Sequence, residues 1–152
     1  MRISAALAII LLHLSCLAQK PLDVAASDKA MNEAIARAKA SVHRVQLELE
    51  RGNTHVSVKV PIVEGAAVEH FWLREVTFNR KTAQFSGLID NDPGFVKNVK
   101  IGQSLTVSAT QISDWLYMRE GRMHGNFTIR VLLPRMPAAE AQWWHAKLSA
   151  EP

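Results

Sequence analysis

The hydrophobic period of the chain changes once, near Gly52, and that change commits it to a helix followed by a sheet. Before it, Met31, Ile35, Ala38, Val42, Val45 and Leu49 recur in steps of three and four, one side of an amphipathic helix. After it, Val56, Val58 and Val60 alternate with His55, Ser57 and Lys59, the period of a half-buried strand. Ser27-Asp28 offers a helix start, and Gly52 suits the left-handed residue beyond a helix end. The spacing predicts one long helix over 28–51, within a segment 27–52.

Pro61 and Gly65 are expected to end the first strand. Further strands are expected at "VEHFWLREVTFN", "TAQFSGLI" and "SLTVSA", and from Trp115 to Arg119. "DNDPGF" reads as a turn, with a short helical turn after it over 95–98. Glu120-Gly121 marks a hairpin, and the alternation of Phe127, Ile129, Val131 and Leu133 predicts a last strand. Pro134 stops the sheet, and Pro137 opens a closing helix with Ala139, Trp143, Trp144 and Ala146 on its apolar side. The fold class is α+β: a long N-terminal helix, a curled antiparallel sheet or small open barrel of five to six strands, and a short C-terminal helix. The sheet and closing helix form one domain over 53–148.

The first residues stand apart from this core. Met1-Arg2 is a positive start, Ile3 to Leu14 is almost wholly apolar, and Cys16-Leu17-Ala18 places small residues where a signal peptidase reads them. Residues 1–18 are therefore expected to be a signal peptide, and 19–26 a mature lead, which puts the protein in the periplasm or outside the cell. The stretch is shorter than the roughly 20 apolar residues a spanning helix needs. Lipidation of Cys16 is the alternative, and the membrane then enters only through this segment. Cleavage removes the one cysteine and leaves no disulfide, thiol nucleophile or thiolate zinc site. It also takes the net charge from +4 to +3, since Arg2 leaves and no acid does (18 − 1 − 14). The basic residues are scattered, with no dense Lys/Arg block, so no nucleic-acid partner is expected.

"VEHFWL", "FSGLIDNDP", "VKNVKIGQSLTVS", "ISDWLYM", "GRMHGNFTIRVLL" and "RMPAAEA", in that order, resemble the YegJ-like family of bacterial domains of unknown function. The resemblance covers about Thr54 to Ala146 and leaves the long helix and the signal segment outside it. Met136 stands where that family usually has a serine, which weakens the start of the last helix by about 1 kcal/mol. The resemblance implies no activity and no catalytic residue. A looser likeness, through "LIDNDP" and "KIGQSLTVS", is to small bacterial immunity factors that act against toxins.

No constellation in the sequence specifies a reaction. Glu69-His70, with His55 and His124, has acid, base and ligand chemistry but no metal-motif spacing. Asp90-Asn91-Asp92 fails as a calcium loop, because Phe95 and Ile101 stand where glycine and glutamate are required. There is no Gly-x-Ser-x-Gly, Ser-x-x-Lys or phosphate loop. No cofactor or metal is expected. The most patterned stretch is 112–133. Trp115, Tyr117 and Arg119 should share one strand face beside Asp114, with Arg130 approaching from the partner strand. Arginine beside aromatics makes either a structural corner or a recognition patch. The expected function is a non-enzymatic, exported module that binds a protein or envelope component through Asp114, Trp115, Tyr117, Arg119 and Arg130, with Glu69, His70 and Trp72 nearby. The alternatives are a small hydrolase or metal-dependent enzyme using Glu69, His70 and Asp90 or Asp114, and a toxin-immunity inhibitor.

Overall fold

A computed structural model describes residues 28–152. The expected signal peptide, the lead segment and the helix start at Ser27 lie outside the described residues. Two helices, α1 (Lys29–Ala40) and α2 (His43–Glu50), precede a six-stranded sheet. Its strands are β1 (Val56–Glu64), β2 (Ala67–Asn79), β3 (Gln84–Ile89), β4 (Ser104–Ser108), β5 (Asp114–Arg119) and β6 (Arg122–Gly125). Helices α3 (Phe127–Leu132) and α4 (Ala138–Lys147) follow. The class is α+β, and the sheet is open, in the order β4-β3-β2-β1-β5-β6, with each neighbouring pair antiparallel.

The single helix expected over 28–51 is broken at Ser41-Val42. The Ser41 hydroxyl donates back to the carbonyls of Arg37 and Ala38 at 2.7 and 3.2 Å, and its N–H turns to Ala38. A serine bonding to its own preceding turn competes with the helix ladder and bends it. The break lets Ala34, Ala38, Val42 and Val45 stay buried on a twisted sheet. α1 packs on α3 and β5, and α2 on β1, β2 and β5. Val56, Val58, Val60, Phe71, Leu73, Phe85, Ile89, Trp115 and Tyr117 supply the sheet side of the core.

β1 runs through Pro61 rather than ending there. β5 accompanies it only as far as Lys59, so Pro61 sits where the strand has one neighbour, and proline is tolerated at such positions. The helical turn expected over 95–98 is absent, and that segment is irregular. The larger correction concerns Phe127 to Leu133, which is helix and not strand. Gly125 and Asn126 both take left-handed conformations, at φ 77 and 52°, and turn the chain out of the sheet. The Asp114 carboxylate then accepts from the Phe127 and Thr128 N–H groups at 3.0 and 2.8 Å, capping the new helix from another strand.

Candidate functional site

The expected site residues fall in three places. Asp114 is fully buried at the start of β5. Besides the two N–H groups of α3 it receives the Thr128 hydroxyl at 2.6 Å, and that hydroxyl accepts from Lys59 Nζ at 2.9 Å. The lysine lies over the Trp72 ring, 4.8 Å from its centroid. Burial holds the Lys59 ammonium below its ordinary pKa, against the pull of Asp114. His70 Nδ1 meets the Ser113 hydroxyl at 2.9 Å, and burial and the charge of Lys59 hold this imidazole below the usual histidine value. These groups fasten β1, β5 and α3 to one another.

Glu69 points to the other side of β2 and is buried. Its carboxylate takes the N–H groups of Gly94, Phe95 and Val96 at 2.8, 2.9 and 3.2 Å. Burial raises its pKa, and the three N–H donors outweigh that and leave it below the glutamate range. Asp90 pairs with Arg74 at 3.1 Å on the surface, and Asn91 accepts the Trp72 N–H at 2.9 Å. Among the described residues, no three His, Cys, Asp or Glu side chains gather to hold a metal ion.

Trp115, Tyr117 and Arg119 do share a face, but it is the core face. Trp115 and Tyr117 are 0% and 2% exposed, so neither ring offers the surface that direct contact would need. They stack at 5.7 Å, Tyr117 stacks on His124 at 5.0 Å, and Arg119 caps Tyr117 at 5.2 Å. Arg119 also pairs with the buried Glu48. Burial raises the Glu48 pKa, but Asn53, Arg51 and Arg119 bring it below the ordinary value. Arg130 does not approach the aromatic rings from a partner strand. From α3 its guanidinium donates to the Gly125 carbonyl at 3.0 Å and to the Ser149 carbonyl at 3.1 Å.

The aromatic stack surfaces at a groove of about 630 Å³. Arg119, Glu120, Arg122, His124, His145, Leu148, Ser149 and Ala150 line it. A second hollow of about 380 Å³ shares its last four residues and adds Arg130 and Leu133. Two left-handed residues, Glu120 and Gly121 at φ 51 and 73°, make the tight β5–β6 turn that sets Arg119 opposite Arg122. Arg122 crosses to the Ala146 carbonyl at 2.6 Å, and Ser149 N–H bonds to Met123 at 2.9 Å, so α4 and the segment after it form the far wall. Burial and the neighbouring charges of Arg119 and Arg44 hold His124 below the ordinary histidine pKa. Among the lining residues Glu120 is the sole acid, so the groove is cationic. Sequence reading missed Lys59, Ser113, Arg122 and His145 as members of these clusters, and grouped His124 with Glu69, His70 and His55, whereas it lies beside Tyr117 and Arg119. Their spacing carries no motif, and only the β5–β6 register brings the groove set together.

An open antiparallel sheet backed by helices, with a cationic groove at one edge, defines a small α+β domain. No solved structure matches the chain. The chain belongs to the bacterial family described as "Uncharacterized protein conserved in bacteria (DUF2314)", which matches residues 28–150. The match begins at Asp28, so α1 and α2 belong to the family unit and are not additions to it. The chain is 37% identical over 121 residues to the uncharacterized protein YegJ of Escherichia coli, covering 79% of this chain and 78% of that one. It is also 33% identical over 87 residues to a putative ankyrin repeat protein of Neisseria meningitidis serogroup B, covering 55% of this chain and 34% of that protein.

Proposed function

We propose that this protein is an exported, non-enzymatic binding module whose cationic groove receives an acidic segment of another envelope protein. The observation that carries this reading is the gathering of Arg119, Arg122, His124, Arg130 and His145 around adjoining hollows that hold one acid. A cleft lined by one sign of charge concentrates ligands of the other and speeds their arrival. The walls include Leu148 and the backbone of Ser149 and Ala150, a mixture that suits a peptide better than a bare ion. The carboxylates that a hydrolase would draw on are engaged elsewhere: Glu69 and Asp114 on backbone N–H groups, Asp90 on Arg74. Toxin immunity is the special case in which the acidic segment belongs to a toxin.

Fluorescence anisotropy with a labelled oligoglutamate peptide tests the groove. Binding that weakens with added salt and is lost in Arg122→Glu supports the reading, since screening sets in over about 10 Å at 0.1 M salt. Equal binding by wild type and variant, or none by either, rejects it. The amino-terminal Met1–Ala18 pattern supports export. A mature chain starting at Gln19, seen by intact mass in the envelope fraction, is the expected result for that part. A full-length chain recovered from the cytoplasm rejects export.

A further inference from the structure

The two edges of the sheet are treated differently. β6 is covered: Leu148 bridges Met123 in parallel, and the Ser149 N–H bonds to the Met123 carbonyl at 2.9 Å. β4, the other edge, packs on β3, and among the described residues no other helix or strand makes a comparable contact with it. Its sequence, Ser-Leu-Thr-Val-Ser, carries no charge, no proline and no glycine. Its pairing with β3 has an unbroken register, whereas the β2–β3 pairing is interrupted between Arg74 and Thr77. Natural sheets guard exposed edges with charges, prolines, bulges or a covering segment, because an unguarded edge pairs with another chain.

The hydrogen-bond parity of this edge is fixed. The Ile89 N–H bonds to the Gln103 carbonyl at 2.9 Å, next to the pair Leu88 and Ser104. Inward bonding alternates along an antiparallel ladder. The backbone groups of Leu105 and Val107 therefore face β3, and those of Ser104, Thr106 and Ser108 face outward. The Ser86 and Thr106 hydroxyls touch at 2.8 Å, as fits a closely spaced non-bonded pair. The Ser108 N–H is taken by the Gln111 side chain at 2.9 Å. Among the described residues, the backbone groups of Ser104 and Thr106 and the Ser108 carbonyl remain open.

We infer that β4 is a self-association edge, at which two copies of the chain pair antiparallel about a twofold axis through Thr106. The occupant follows from the strand itself. Ser-Leu-Thr-Val-Ser reads nearly the same in both directions, so an antiparallel second copy sets serine against serine and leucine against valine. Thr106 meets Thr106 of the second copy, and the two exchange both backbone bonds. Each Ser104 N–H reaches Ser108 of the second copy. Leu105 and Val107, which pack against the core, meet their apolar counterparts and continue the core across the join. With no charge on either strand, identical edges meet without repulsion, and an isologous pair of this kind closes as a dimer. The groove on the β6 side stays free on both copies.

Sedimentation equilibrium of the purified protein over a concentration series, with amide hydrogen exchange on the same samples, tests this. The wild type should sediment as a monomer–dimer equilibrium, and Thr106 N–H exchange should slow as concentration rises. Thr106→Pro removes an outward N–H, a substitution edge strands accept, together with the exposed hydroxyl contact to Ser86. It should weaken association roughly a hundredfold through the lost bonds and the intruding rings while circular dichroism is unchanged. Thr106→Lys sets two ammonium groups beside the axis and should give a monomer that reassociates at high salt. A monomeric wild type at all concentrations overturns the proposal. So does Thr106 protection independent of concentration, because the edge is then covered from within its own chain. A dimer that persists in both variants places the interface elsewhere and overturns it too.

Discussion

The Asp114 carboxylate receives both the N–H and the hydroxyl of Thr128, at 2.8 and 2.6 Å, and so ties the first residue of β5 to the first turn of α3. The Phe127 N–H adds a third bond at 3.0 Å. Asp114→Asn turns an amide N–H₂ toward these donors and leaves Lys59 without its counter-charge. We expect a loss of about 2–4 kcal/mol in urea unfolding, with α3 losing hydrogen-exchange protection first. A change within ~0.5 kcal/mol would contradict the capping role.

Gly125 is the second requirement of the same corner. Its φ is 77°, and an added Cβ would lie in hard contact with the Trp115 carbonyl and indole ring. Neither is the end of a flexible chain, so the corner cannot yield cheaply. Gly125→Ala should cost about 3 kcal/mol or more, through strain and overpacking together. Loss of the near-ultraviolet circular dichroism of Trp115 at temperatures where the wild type stays folded is the readout.

Glu69 holds the 94–96 loop, and its folded pKa lies below the ordinary glutamate value. Its contribution is complete above the unfolded value, about 4.3, and is lost as pH falls through the lower folded value. Glu69→Gln should destabilise by about 1–3 kcal/mol at neutral pH. It should also flatten the acid limb of a stability–pH curve below about pH 4.3 relative to wild type. Parallel curves for the two proteins would show that the loop is held by other groups.

His124 makes groove binding pH-dependent. In the free protein, burial and the charges of Arg119 and Arg44 favour its neutral form. A bound carboxylate counters those charges and raises the imidazole pKa, so binding takes up a proton. Affinity for the oligoglutamate peptide should rise as pH falls from 7.5 toward 6, a range in which the peptide stays ionised. His124→Gln should reduce the slope, with His145 still lining the groove. An unchanged slope in that variant would remove His124 from the site.

Much of the architecture was legible because its signal is periodic. Val56, Val58 and Val60 announce β1, Glu120-Gly121 announces the β5–β6 turn, and Pro137 announces α4. The failures came where a distant partner overrode local pattern. Phe127, Ile129, Val131 and Leu133 alternate as a strand would, yet the side chain of Asp114, far back in the sequence, caps them into a helix. Ser41 lies inside a continuous apolar stripe, and its back-bonding hydroxyl breaks the helix there. At the site, Trp115 and Tyr117 were read from residue type as contact groups, and their stacking carries them into the core. Arg122 and His145 carry no sequence signal, and His124 stood out only by residue type, because the three meet only through the β5–β6 register and the return of the chain after α4.

The claim that the cationic groove is the recognition site is tested most directly by NMR chemical-shift mapping of the labelled protein titrated with an oligoglutamate peptide. Shifts are expected to be confined to Arg119, Arg122, His124, His145 and Ser149, with the β4 edge and the Lys59 cluster silent. Shifts centred on Trp72 and Lys59, or an unchanged spectrum at saturating peptide, would contradict it.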